Sequence, residues 1–175
     1  MQIIKIIHIS FFLFIVLSSS KANTSIQVAD GWRLPVAKDM TGAWSPFLGS
    51  KELPYLACAD FNGDAISDDA YIALAQKGSK WALFVNLNLK SGRPRIIKVE
   101  EDNSNTPPQN MGVSVVSPGK YKTACGKGYW NCKKGEPSEL KLNLRAINLY
   151  MFEGSNSFFW WEKNAGKFVQ TWISD

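Results

Sequence analysis

The chain has 175 residues, 45% hydrophobic and 20% charged, with a formal net charge of +5, three cysteines and one histidine. That composition is too apolar for a disordered chain, it is not that of a fibrous one, and the length suits one domain. The histidine, His8, falls within the first ten residues, which decides what chemistry is left to the rest.

Residues 1–5 carry one positive charge, residues 6–17 are almost wholly apolar, and Ser18, Ser19, Ser20, Lys21 and Ala22 follow. This is the n-region, h-region and small-residue pattern of a secretory signal peptide, with Ser20 and Ala22 placed for a cut after Ala22. Twelve apolar residues are too few to cross a bilayer comfortably. The expectation is a secreted or periplasmic protein with no membrane insertion after cleavage. Removing residues 1–22 takes away Lys5, Lys21 and His8 and no acid, leaving 18 basic residues against 15 acidic, a net charge of +3 and no histidine. Ser-His-Asp and Cys-His nucleophiles and histidine-ligated zinc or copper are thereby excluded. A charge of +3 is too mild to argue for nucleic acid.

Residues 23–50 are broken by Gly31, Pro35, Gly42, Pro46 and Gly49 and read as an irregular segment, with a short helical turn near 38–44 and with Trp32 and Trp44 packed onto the body. Strands are predicted at 55–59 and 70–75, the first placing Cys58 as a small buried thiol. Between them lies an acidic stretch, considered below. The predicted strand at 81–89 alternates well, with Ala82, Phe84, Asn86 and Asn88 on one face and Trp81, Leu83, Val85, Leu87 and Leu89 on the other. A strand at 95–101 leads into a polar, proline-containing loop at 101–110, read as exposed and mobile. Glu100, Glu101 and Asp102, at that strand end, read as solvated. A strand at 111–116 is stopped by Ser117-Pro-Gly119. Further strands are predicted at 139–143, 147–153, 157–162 and 167–173. Phe158-Phe-Trp-Trp161 puts aromatics on both faces of one strand, as in a central strand covered on both sides or, less simply, an aromatic platform. No repeat of 20–50 residues is visible. The fold class expected is all-β or β-dominated, a compact antiparallel sandwich-like single domain over 23–175 with a short irregular N-terminal segment.

Cys125 and Cys132 enclose six residues, two of them glycine, and in an oxidising compartment they read as a disulfide-closed loop. Around it Lys120, Lys122, Lys127, Lys133 and Lys134 mix with Tyr121, Tyr129 and Trp130. Lys127, Tyr129 and Trp130 are the candidate partner-binding residues, for a protein or an anionic glycan of the cell envelope; a solvated turn is the plainer alternative. Ser117 and Lys120 match the S-x-x-K spacing of Ser/Lys acyl enzymes, but Pro118 and Gly119 forbid the helix that would stack them.

The acidic stretch, residues 60–69, holds the one motif with chemistry in it. Oxygen side chains stand at loop positions 1, 3, 5 and 9 (Asp60, Asn62, Asp64 and Asp68), and Ile66 at position 7 offers its carbonyl. Hard oxygen donors at alternate positions wrap a Ca²⁺ ion, because such a loop turns every second residue inward. An Asx-rich turn that holds two strands without metal is the competing account. Asp69, out of phase with the donors, reads as solvated or as supporting them.

Ala59-Asp-Phe-Asn-Gly-Asp64 followed by Asp68-Asp-Ala70 resembles the calcium loop of FG-GAP and VCBS-type proteins, in which a strand runs into a DxNxDG-x-x-D loop and on into another strand. The resemblance implies Asp60, Asn62, Asp64 and Asp68 as side-chain ligands and Ile66 as the backbone one. It covers about fifteen residues. Ala65 stands where such loops usually have glycine, and Tyr71 stands where an EF-hand would have its glutamate, so an EF-hand helix pair is excluded. The remainder is similar to small exported bacterial proteins with one such loop and a terminal aromatic hairpin closing on Trp172-Ile-Ser-Asp175, a resemblance that implies no activity.

Together these features point to an exported, non-enzymatic binding module with a structural calcium loop, of the inhibitor or immunity-protein kind. The competing class is a calcium-assisted hydrolase or carbohydrate-active domain using Asp68, Asp69 or Glu100 as acid or base.

Overall fold

The computed structural model describes residues 26–102 and 104–175. The leader expected at 1–22 lies outside the described residues. Among the described residues eleven strands make up the fold: β1 (Trp32–Arg33), β2 (Leu56–Ala59), β3 (Asp68–Ala75), β4 (Trp81–Leu87), β5 (Arg95–Glu101), β6 (Met111–Val116), β7 (Gly119–Lys122), β8 (Glu139–Leu142), β9 (Ala146–Met151), β10 (Asn156–Glu162) and β11 (Lys167–Ser174). The first sheet runs β1-β3-β4-β5, with β2 pairing the other end of the β3 edge. The second runs β11-β10-β9-β6, and β7 and β8 form a separate hairpin. Every pairing is antiparallel, so the β-dominated sandwich expected from the strand spacing is the fold observed.

Alternation along each strand sorts the side chains into layers. Ala70, Ile72 and Leu74 of β3 and Leu83, Val85 and Leu87 of β4 face Met111, Val113, Ile147, Leu149 and Phe159 of the second sheet, and this is the main core. The opposite face of the first sheet carries Tyr71, Ala73, Ala82 and Phe84, covered by Ile26, Val28, Trp32 and Leu34. The outer face of the second sheet carries Ala146, Phe158 and Ile173, covered by Leu140 and Leu142 of the hairpin. The central strands are therefore covered on both faces, which explains the near-continuous apolar runs in β3, β4 and β10. The aromatic run divides accordingly. Phe159 and Trp161 enter the main core, whereas Phe158 and Trp160 pack toward the hairpin.

The irregular N-terminal segment is held by specific bonds. Trp44, fully buried, donates its indole N–H to the Met111 carbonyl at 2.7 Å. Arg33 grips Asp39 with both guanidinium nitrogens at 2.6 and 3.0 Å. The Gln27 carbonyl lies 3.0 Å from the Tyr71 hydroxyl and accepts the Asn86 amide at 2.8 Å. The turn expected near 38–44 is present as two 3-10 segments, Ala37–Asp39 and Gly42–Phe47.

The structure corrects four expectations. β1 and β7 are additional strands: β1 has two residues, and Gly119-Lys-Tyr-Lys122 of β7 carries one apolar side chain, so neither shows an alternation. Cys58 is exposed, not buried, because Ala57 and Ala59 take the inward positions of β2. The polar loop after β5 is pinned: Trp81 donates its indole N–H to the Thr106 carbonyl at 2.9 Å, and the Gln109 amide reaches the Asp39 carbonyl at 3.0 Å. The acids at its start are not all solvated. An irregularity opposite Leu83 and Phe84 lets Val99 and Glu100 both turn toward the sheet interior, and Asp102 is 7% exposed.

The two sheets meet where β2 approaches β6, joined by a bond from the Val113 N–H to the Pro54 carbonyl at 2.8 Å. At the end of β5 and around Gln170 and Trp172 of β11, residues of both sheets line a cleft. No described helix is long and apolar enough to cross a membrane.

Candidate functional site

The acidic loop links β2 to β3, and its geometry follows from its Asx side chains. Asp60 Oδ1 accepts the N–H of Gly63 at 2.7 Å and of Asp64 at 3.2 Å, and its Oδ2 accepts the N–H of Ala65 at 2.8 Å. Asn62 Oδ1 accepts the N–H of Asp64 at 2.9 Å, and Asp64 Oδ1 that of Ile66 at 2.8 Å. Each short polar side chain thus caps backbone two to five residues on, which is how such residues stabilise tight turns. The turn is tight enough to place Ala65 at φ 66°, in the left-handed region where a Cβ is disfavoured. This is position 6, where glycine is usual in the loops it resembles.

Asp68 is different in kind. Its side chain is fully buried at the start of β3. Oδ2 accepts the Phe61 N–H and Oδ1 the Asn88 N–H, each at 3.0 Å. Burial pushes its carboxyl up to about 6, with the neighbouring Asp64 and Asp60 adding to the shift and the two N–H donors opposing it. Asp69 faces the other way. It accepts a bond from the Cys58 thiol at 3.3 Å and one from the Asn88 amide at 3.0 Å.

The donor set is oxygen-only and fits a hard cation such as Ca²⁺. Each carboxylate has about four acceptor positions; Asp60 uses three on backbone N–H groups, Asp68 two, and Asp64 one, with the Asn62 amide on its other oxygen. Among the described residues none of these carboxylates pairs with a lysine or arginine. Among the described residues, too, no three carboxylate, thiol or imidazole groups converge as a metal cluster.

The second candidate lies between β7 and β8. Cys125 and Cys132 are joined in a disulfide, with Cα atoms 4.9 Å apart. Thr123 anchors the loop, its hydroxyl 2.7 Å from the Pro137 carbonyl and 3.2 Å from the Gly126 N–H it accepts. Gly126 is required there, since a Cβ would lie 1.9 Å from the Ser138 carbonyl oxygen. The Ala124 N–H donates to the Trp172 carbonyl at 2.8 Å and the Lys127 ammonium to the Ile173 carbonyl at 2.8 Å, so the loop is fastened to β11. Trp130 is half-buried and donates to Glu136 at 3.0 Å, whereas Tyr129 is 53% exposed. Of the three residues singled out here, Tyr129 alone presents a large unengaged surface. Lys120, in β7, pairs with Glu139 at 3.4 Å, and no helix stacks Ser117 against it.

Glu100 is separated from Asp68 and Asp69. It lies opposite Leu83 on β5, two strands across the sheet from β3, and the cleft it lines does not include the loop carboxylates. Burial raises the Glu100 carboxyl above the usual range.

No protein-family model matches the chain, and no curated protein and no solved structure matches it.

Proposed function

We propose that this chain is an exported, non-enzymatic binding module in which residues 60–68 form a calcium loop of the FG-GAP and VCBS type and the disulfide loop carries the partner surface. The observation that carries the calcium assignment is the curl of the loop around Asp60, with oxygen donors at alternate positions. Asp60, Asn62, Asp64 and Asp68 hold the ion with the Ile66 carbonyl. The ion offsets three carboxylates crowded between two strands and fixes the turn from β2 into β3.

The partner surface is the tip that Cys125–Cys132 closes. Exposed Tyr129 beside Lys127 and Trp130 gives an aromatic anchor on a pre-ordered loop, the arrangement that contributes most to protein interfaces. An envelope or secreted protein fits this surface, and an anionic glycan is the competing ligand. Export through a leader at 1–22 is consistent with the disulfide.

Two measurements test this. The melting temperature rises in millimolar Ca²⁺, falls in EDTA, and loses that difference in Asp64→Ala. A stoichiometric partner from the envelope fraction is retained by the wild-type chain and lost on Tyr129→Ala. Hydrolysis of a cell-wall or glycan substrate that disappears on Asp69→Asn or Glu100→Gln would instead establish the enzyme class.

A further inference from the structure

A cleft of about 370 Å³, lined by residues of both sheets, opens at the end of β5, within the size range of small-molecule sites. Its floor is apolar, made by Trp81, Leu149 and Met151. One wall is acidic: Glu100, Glu101 and Asp102 follow one another at the end of β5. Among the described residues no lysine or arginine lines the cleft, although the chain as a whole is basic.

The three acids are not equivalent. Glu101 lies opposite Ala82 and turns to the outer face, where Lys80 and Lys98 pair with it. Glu100, turned inward by the irregularity in β5, makes no ion pair among the described residues. Asp102 is 7% exposed, and its Oδ1 accepts the N–H and hydroxyl of Ser104 at 3.0 and 2.8 Å. That hydroxyl lies 2.7 Å from the Thr106 hydroxyl, and the Thr106 carbonyl is held by Trp81. The acidic wall is therefore pre-ordered. Trp172 of β11, 45% exposed and opposite Ser157 of β10, also lines the cleft.

We infer that this cleft binds an organic cation with an apolar stem, the chemistry of an alkylammonium ion or of a lysine or arginine side chain. The stem covers Leu149 and Met151. The cationic head meets Glu100 beside Asp102 in a partly desolvated setting, where a charge-assisted hydrogen bond is strongest. The Trp172 indole closes over the cation. The site is distinct from both the calcium loop and the disulfide loop, so it stands or falls independently of them.

Calorimetric titration of the full chain with n-hexylamine, hexan-1-ol and Nα-acetyl-lysine N-methylamide tests it, with the indole N–H resonances of Trp81 and Trp172 followed by NMR. Hexylamine binds about tenfold or more tightly than hexanol, the margin expected of a hydrogen bond to a charged group. Glu100→Gln abolishes that margin, and Trp172→Ala, at an exposed position, weakens the amine severalfold while far-UV circular dichroism and the melting temperature stay native. Binding of the blocked lysine as tight as that of the free amine identifies a side chain as the ligand, and binding of hexylamine alone identifies a small amine. Absence of amine binding, equal binding of hexanol, or an undiminished amine preference in Glu100→Gln overturns the inference.

Discussion

Asp68 Oδ1 accepts the main-chain N–H of Asn88 at 3.0 Å, tying the exit of the acidic loop to the end of β4. The other oxygen holds the Phe61 N–H, so one buried carboxylate joins three segments. Asp64, exposed at the loop tip, bonds only within the loop, to the Ile66 N–H and the Asn62 amide. Asp68→Ala orphans two N–H groups and relieves a buried charge, for a net loss of about 2 kcal/mol. Denaturation in EDTA should show this loss. Asp64→Ala should change stability little in EDTA and act on the calcium response instead.

Ala65 sits at φ 66°, a conformation that costs an L-residue roughly 1–2 kcal/mol. Ala65→Gly removes that strain and adds some unfolded-state entropy, so the net gain is about 0.5–1 kcal/mol. The gain should appear without calcium, and calcium affinity should rise with it. A destabilised glycine variant would contradict the strain account.

The Cys125–Cys132 bridge closes a short loop and contributes about 2–3 kcal/mol in the chain-entropy picture. Cys125→Ser with Cys132→Ser should lower the melting temperature by that equivalent. Gly126→Ala should cost about 2–3 kcal/mol with the disulfide intact, because the clash is with main-chain oxygen of Ser138, which cannot step aside. Free thiols at 125 and 132 in non-reducing mass spectrometry would remove the first expectation.

The Arg33 guanidinium beside Asp39, with the Val36 N–H, holds the Asp39 carboxyl below its ordinary value of 3.8. The folded state therefore binds this proton less readily than the unfolded one. Its contribution is full above about pH 4 and is lost as pH falls through the lower folded value. Asp39→Asn should cost about 1 kcal/mol at neutral pH, since both partners are partly exposed, and should flatten the acid limb of the stability curve.

Cys58 is exposed yet its thiol is pushed up to about 12, first by desolvation and then by its bond to Asp69. Thiolate is the reactive form, so alkylation by iodoacetamide at pH 8 should run about 10²–10³-fold slower than for an ordinary cysteine. Asp69→Asn should speed it. Labelling at the ordinary rate would contradict the shift.

Much of this molecule was legible in its pattern of residues. The strands at 95–101 and 111–116 and the parity of Trp81, Leu83 and Val85 follow from alternation, which is local. So do the Cys125–Cys132 bridge, set by a short glycine-bearing spacing, and the Asx turns of residues 60–66. β1 was not legible because two residues carry no period, and β7 because Gly119-Lys-Tyr-Lys122 has a single apolar side chain. The burial of Asp102, the inward turn of Glu100 and the exposure of Cys58 depend on register against strands far away in the chain. The cleft is the clearest case. Glu100 and Trp172 line one cleft only because the packing of two sheets brings the end of β5 near the end of β11, a placement set by the whole core. Chain-local chemistry determined strands, turns, bridge and acidic loop; tertiary packing alone decided which carboxylates lost water and what lines the cleft with them.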